Sequence, residues 1–171
     1  MTSATTVPDS ADTGAVQSIL DLKQALDALP SSSRLSQADT DAIYALAHQL
    51  VVQGRYETAY GYFSLLTLYR PTDVAYLQGL ALCYRMLERY EEALNVYSFL
   101  ATIDPQEVDH SIAIAECLLL QRELEEARAT VELVLQFCQE NPVPARSGAR
   151  AQALRELLQP ADAQGGTPAH A

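Results

Sequence analysis

The sequence predicts an all-α fold, a solenoid of three tandem helix–turn–helix repeats with a further helix at each end. Three observations carry this expectation. Between Ser31 and Asn141 proline occurs only as Pro71 and Pro105, which stand 34 residues apart. Alanine recurs at the same interval in two series, Ala47, Ala81 and Ala115, and Ala59, Ala93 and Ala127. The string RYETA at 55–59 returns as RYEEA at 89–93 and as ELEEA at 123–127. A fixed period of this size is the mark of stacked supersecondary units.

The register defines segments 40–73, 74–107 and 108–141. Positions 8 and 20 hold the alanines, because two antiparallel helices of one repeat approach each other closely there and a larger side chain would part them. Apolar residues repeat at position 7 (Leu46, Leu80, Ile114), position 11 (Leu50, Tyr84, Leu118), position 17 (Tyr56, Tyr90, Leu124) and position 24 (Phe63, Tyr97, Val131). Such stripes cannot be buried by one helix pair alone, so neighbouring repeats must stack. Proline at position 32 ends the second helix. The pattern resembles the tetratricopeptide repeat. It departs from it where Glu88 and Arg122 replace the turn glycine Gly54, and where Gln139 replaces the position-32 proline.

The three repeats fall within residues 36–141, and the flanks are read around them. Residues 1–14 and 159–171 have no periodicity and are expected to be disordered. Residues 15–30 form an amphipathic helix with Val16, Ile19, Leu20, Leu22, Leu26 and Leu29 before Pro30. A shorter helix at 147–158 presents Ala151, Leu154, Leu157 and Leu158 as a cap on the last repeat. A linker at Ser31–Ser33 follows the first helix, so Ile19, Leu20, Leu22, Leu26 and Leu29 could dock on another subunit; a homodimer is the expectation.

Charge and composition narrow the function. The 171 residues carry 22 acidic and 11 basic side chains, a net charge of −11, with 49% hydrophobic and 19% charged residues. A nucleic-acid binder needs a basic face, and an anionic membrane surface repels this balance. No stretch approaches the ~20 apolar residues of a membrane span, and the first residues lack a secretory pattern. The three cysteines are not spaced as metal ligands, so no metal or cofactor is expected, and reduced thiols fit a cytoplasmic protein.

In a repeat of this kind the first helix lines a concave groove with positions 2, 5, 9 and 12. The first segment contributes Asp41, Tyr44, His48 and Val51, the second Ala75, Gln78, Leu82 and Arg85, and the third Asp109, Ile112, Glu116 and Leu119. A mixed apolar and polar lining suits an extended peptide. Tyr44 is the first choice as a contact, because Tyr56, Tyr84, Tyr90 and Tyr97 stand at packing positions. Chaperone tails ending in carboxylates are disfavoured: positions 5 and 9 offer no cation and Glu116 would repel them. His48 and Glu116 lie in different repeats without a nucleophile, so no catalytic residue is nominated.

The strings AECLL at 115–119, YALA at 44–47, GLALC at 79–83 and ELEEA at 123–127 are similar to the class II chaperones of bacterial type III secretion systems, the SycD/LcrH-type translocator chaperones. The likeness covers about residues 35–140. It implies a cytoplasmic bacterial chaperone that binds hydrophobic, pore-forming translocators before export. It further implies a proline-containing extended segment of the translocator in the groove, and a first helix that contributes to dimer formation. Carried over by position, Tyr44 matches a groove aromatic, while His48 and Val51 stand where that family often has aromatics. The alternative is a repeat scaffold, or a needle-subunit chaperone or adaptor of the export apparatus, holding an amphipathic helix.

Overall fold

The computed structural model describes residues 10–28 and 35–159, among which there are eight α-helices and no strand. They are α1 (Ser10–Asp27), α2 (Gln37–Val52), α3 (Tyr56–Tyr69), α4 (Val74–Met86), α5 (Tyr90–Ile103), α6 (Val108–Leu120), α7 (Leu124–Glu140) and α8 (Ala145–Leu158). Two compact units divide after Cys83, inside α4.

In the first unit α2 packs against α3. A capping box starts α2: the Asp39 N–H donates to Ser36 Oγ at 3.2 Å, and the Ser36 N–H donates to Asp39 Oδ2 at 3.1 Å. Two orphan amides are thereby satisfied reciprocally. Asp73 starts α4 in a similar way, accepting from the N–H groups of Ala75 at 3.0 Å and Tyr76 at 3.2 Å. Ala47, Ala59 and Ala81 are all 0% exposed, as the helix-contact role of positions 8 and 20 requires. Around them Phe63, Leu66, Tyr76 and Leu80 fill the core, each such side chain contributing about 1.5–3 kcal/mol by leaving water. Thr72, buried after α3, donates to Asp27 Oδ1 at 2.5 Å and ties the end of α1 to this unit.

In the second unit α6 packs on α5 and α7, and α8 packs on α7 and α6. Ala93, Ala115 and Ala127 are again 0% exposed. The core cluster joins Val108, Ile112, Val131 and Val134 to Ala151, Leu154 and Leu158 of α8, so the last helix closes the apolar face of the third repeat.

The departures from the repeat pattern have structural answers. Gly54, Glu88 and Arg122 adopt φ of 72°, 61° and 70°, so all three turns use the same left-handed residue although only one is glycine. Pro71 and Pro105 each stand two residues beyond the end of their helix, α3 or α5. With Gln139 in that place α7 runs on to Glu140 and reaches 17 residues, against 14 for α3 and α5. The Asn141 N–H then donates to Phe137 O at 2.9 Å at its end.

Two boundaries differ from expectation. Helix α1 begins at Ser10, inside the stretch expected to be disordered, and ends at Asp27. Helix α8 begins at Ala145, with Pro144 (φ −56°, ψ 134°) as its non-helical N-cap, whose carbonyl accepts from the N–H groups of Ser147 at 2.9 Å and Gly148 at 3.3 Å. Leu29 and the segments 1–9 and 160–171 lie outside the described residues.

Candidate peptide-binding faces

In the first unit the expected groove residues Tyr44, His48 and Val51 come from α2, and Gln78 and Leu82 from α4. Tyr44 is half-buried at the surface of an aromatic stack. Its ring centroid lies 5.5 Å from Tyr76, 6.2 Å from His48, and 6.1 Å from Phe63 in an edge-on arrangement. Phe63 and Tyr76 are buried, so the stack is anchored in the core and Tyr44 is its accessible layer. His48 and Gln78 are exposed, and Val51 and Leu82 are half-buried. This is an aromatic platform anchored in the core, with the His48 ring beside it. Tyr76 was not singled out by sequence position, because it sits at position 3 of its repeat, which the other two fill with Ala42 and His110.

The second unit brings Arg85 of α4 and Asp109, Glu116 and Leu119 of α6 to one network. Arg150 of α8 grips Glu116 with two hydrogen bonds, Nε to Oε1 at 2.7 Å and Nη2 to Oε2 at 2.5 Å. Arg85 Nη1 donates to the same Oε2. Asp109 lies 3.9 Å from Arg150 and 3.7 Å from Arg146. The bonds to Glu116 outweigh the burial of Arg150 and raise its pKa further. Arg85 and Glu116, with Glu88, also line a cavity of about 520 Å³ whose apolar wall is Met86, Tyr90, Leu119 and Leu120.

Ile112 does not belong to this face. It is 1% exposed, packed in the core cluster that includes Ala151, Leu154 and Leu158 of α8. The position that is open in Gln78 and half-open in Tyr44 is thus covered in the third repeat by the terminal helix. Arg150 was missed for the matching reason: it lies outside the 34-residue register. Its local signal was the basic character of its helix.

The packing tyrosines are mixed. Tyr97 is 7% exposed, while Tyr56, Tyr84 and Tyr90 are half-buried. The Arg89 guanidinium lies 4.7 Å above the Tyr84 ring, a cation–π contact. In α1, Leu20 and Leu22 are 52% and 51% exposed and Ile19 and Leu26 half-buried, so the helix presents apolar surface.

Other reactive groups are occupied with packing. Burial pushes the Cys83 and Cys117 thiols up to about 11, which leaves little nucleophilic thiolate at neutral pH. Among the described residues no group of three or more His, Cys, Asp or Glu could hold a metal ion, and no helix is long and apolar enough to cross a membrane.

The chain matches the tetratricopeptide repeat family over residues 84–158 and over 40–73. No curated protein sequence matches it. Among solved structures, PcrH in complex with the chaperone binding region of PopD gives a TM-score of 0.67 at 29% identity, covering 73% of this chain and 94% of that one. PcrH itself is from Pseudomonas aeruginosa. The type III secretion chaperone SycD of Yersinia enterocolitica, in complex with a peptide of the translocator YopD, gives 0.66 at 27% identity over 74% and 96%. A T3SS complex from Aeromonas hydrophila gives 0.69 at 26% identity over 85% and 95%.

Proposed function

We propose, from the premise that this chain is a tetratricopeptide-repeat protein of the class II type III secretion chaperones, that it binds hydrophobic translocators before export and keeps them in solution. The observation that carries the reading is the match, at 29% identity, to nearly the whole length of a chaperone solved with its translocator segment. The role is non-catalytic and belongs in the bacterial cytoplasm, where the client has not yet met a membrane. Tyr44, His48, Val51, Gln78 and Leu82 serve as one contact face, and Arg85, Glu116 and Leu119 as a second. Support comes from the aromatic platform at Tyr44 and the apolar cavity at Leu119. A translocator must later enter a bilayer, so its apolar segments aggregate in water. A partner with a net charge of −11 covers one such segment and keeps the complex soluble. The apolar surface of α1 at Ile19, Leu20, Leu22 and Leu26 serves self-association of the chaperone.

Titration with synthetic translocator segments separates this reading from a scaffold that holds an amphipathic helix. An extended, proline-containing segment from the translocator's N-terminal part should bind without gaining helicity by circular dichroism. Binding accompanied by a large gain of helix would favour the scaffold.

A further inference from the structure

In a chain with a net charge of −11, three of the eleven basic side chains, Arg85, Arg146 and Arg150, converge on only two carboxylates, Asp109 and Glu116. Glu116 is saturated, accepting from Arg150 through both oxygens and from Arg85 as well. Asp109 is shared between Arg146 at 3.7 Å and Arg150 at 3.9 Å, both longer than a hydrogen bond. Glu88 on the cavity wall and Glu107, which accepts from the Asp109 N–H at 3.2 Å, balance the charge of the cluster as a whole. Arg146, however, 83% exposed and 3.7 Å from its one partner, keeps its guanidinium donors turned to solvent and open to a further acceptor. The expectation that Glu116 repels carboxylates rested on a bare charge, which the structure does not have. Arg85 and Glu116 belong both to this cluster and to the wall of the cavity formed by Met86, Tyr90, Leu119 and Leu120.

We propose that Arg146 and Arg150 form a carboxylate subsite that receives an Asp or Glu side chain of the client's extended segment, while an apolar neighbour of that residue enters the adjoining cavity. The subsite rests on the chaperone reading above. Arg146 separates it from a plain docking role for α8. Arg150, 38% exposed and bonded to Glu116, holds the helix in place, whereas Arg146 is nearly all in water and contributes little to that.

The deciding experiment takes the full chain and, as probe, the N-terminal translocator segment in two forms, native and with each Asp or Glu changed in turn to Asn or Gln. Affinity is measured for wild type and Arg146→Gln. The expected result is a loss of about three- to fivefold on Arg146→Gln, the range of a partly exposed ion pair, with the thermal midpoint unchanged. One amide-substituted segment should lose the same factor, and that loss should vanish in the Arg146→Gln background. Equal affinity of both proteins for the native segment, or losses that simply add, overturns the subsite and leaves the chaperone reading standing. Failure of both proteins to bind the segment overturns the chaperone reading itself.

Discussion

The ring of Phe63 occupies the space that a side chain on Gly79 would need: a Cβ at Gly79 would fall 2.2 Å from Phe63 Cε1 and 2.3 Å from Cζ. The glycine lies in the middle of α4, where alanine would ordinarily gain about 1 kcal/mol in helix propensity. Here contact wins over propensity, because Phe63 is 2% exposed and cannot swing away. It also carries Tyr44 above it, so the pair supports the aromatic platform.

Gly79→Ala is expected to destabilise the protein by about 1–3 kcal/mol, the usual cost of overpacking. Urea unfolding reads this directly. The combination with Phe63→Leu should cost less than the sum of the two single changes, since the smaller side chain removes the clash. Strict additivity would show that the two residues do not meet.

The turns offer a test of opposite sign. Glu88 and Arg122 hold φ of 61° and 70°, where L-residues are strained by roughly 1 kcal/mol. Glu88→Gly and Arg122→Gly should each raise stability by about 0.5–1 kcal/mol, and Gly54→Ala should lower it by about 1 kcal/mol. Thermal or chemical melts of the three variants check the signs.

Stability should also respond to acid through His110. This residue is 2% exposed, its Nε2 lacks a hydrogen-bond partner, and Asp104 Oδ2 is 3.9 Å away. Burial lowers its pKa below the ordinary 6.5, with Asp104, Glu107 and Asp109 pulling the other way. The unfolded chain therefore takes up the proton first. The contribution of neutral His110 is complete above pH 6.5 and declines as pH falls through 6.5 toward the lower folded value. The slope from this one proton is at most about 1.4 kcal/mol per pH unit. Urea midpoints at about pH 7.5 and 5.5 should differ more in wild type than in His110→Gln.

Tyr44→Ala should weaken binding of a translocator segment by about 1–3 kcal/mol, as loss of an aromatic anchor commonly does. Calorimetric titration measures it, and circular dichroism should show the helix content retained, since Tyr44 is only half-buried. Unchanged affinity would remove Tyr44 from the contact face.

The repeat was legible in the sequence because close helix contact tolerates only a small side chain, and alanine at 47, 59, 81, 93, 115 and 127 records that demand directly. The turns were legible in place but not in geometry: Glu88 and Arg122 give no hint of a left-handed backbone that glycine would advertise. The outward placement of Tyr44 was legible, because it follows from the register of its own repeat. Placement was not legible where an element outside the period intervenes. Helix α8 covers Ile112 and supplies Arg150 to Glu116, and both follow from tertiary packing between segments about 34 residues apart or more. No spacing rule within one repeat contains that information.

Co-expression tests the central claim most directly, with the soluble fraction of a full-length type III translocator measured in the presence and absence of this chain. The account predicts that the translocator moves from the pellet into a soluble complex with the chain, and that Tyr44→Ala reduces the amount recovered. A translocator equally insoluble with and without the chain, while the chain itself is folded and abundant, would contradict it.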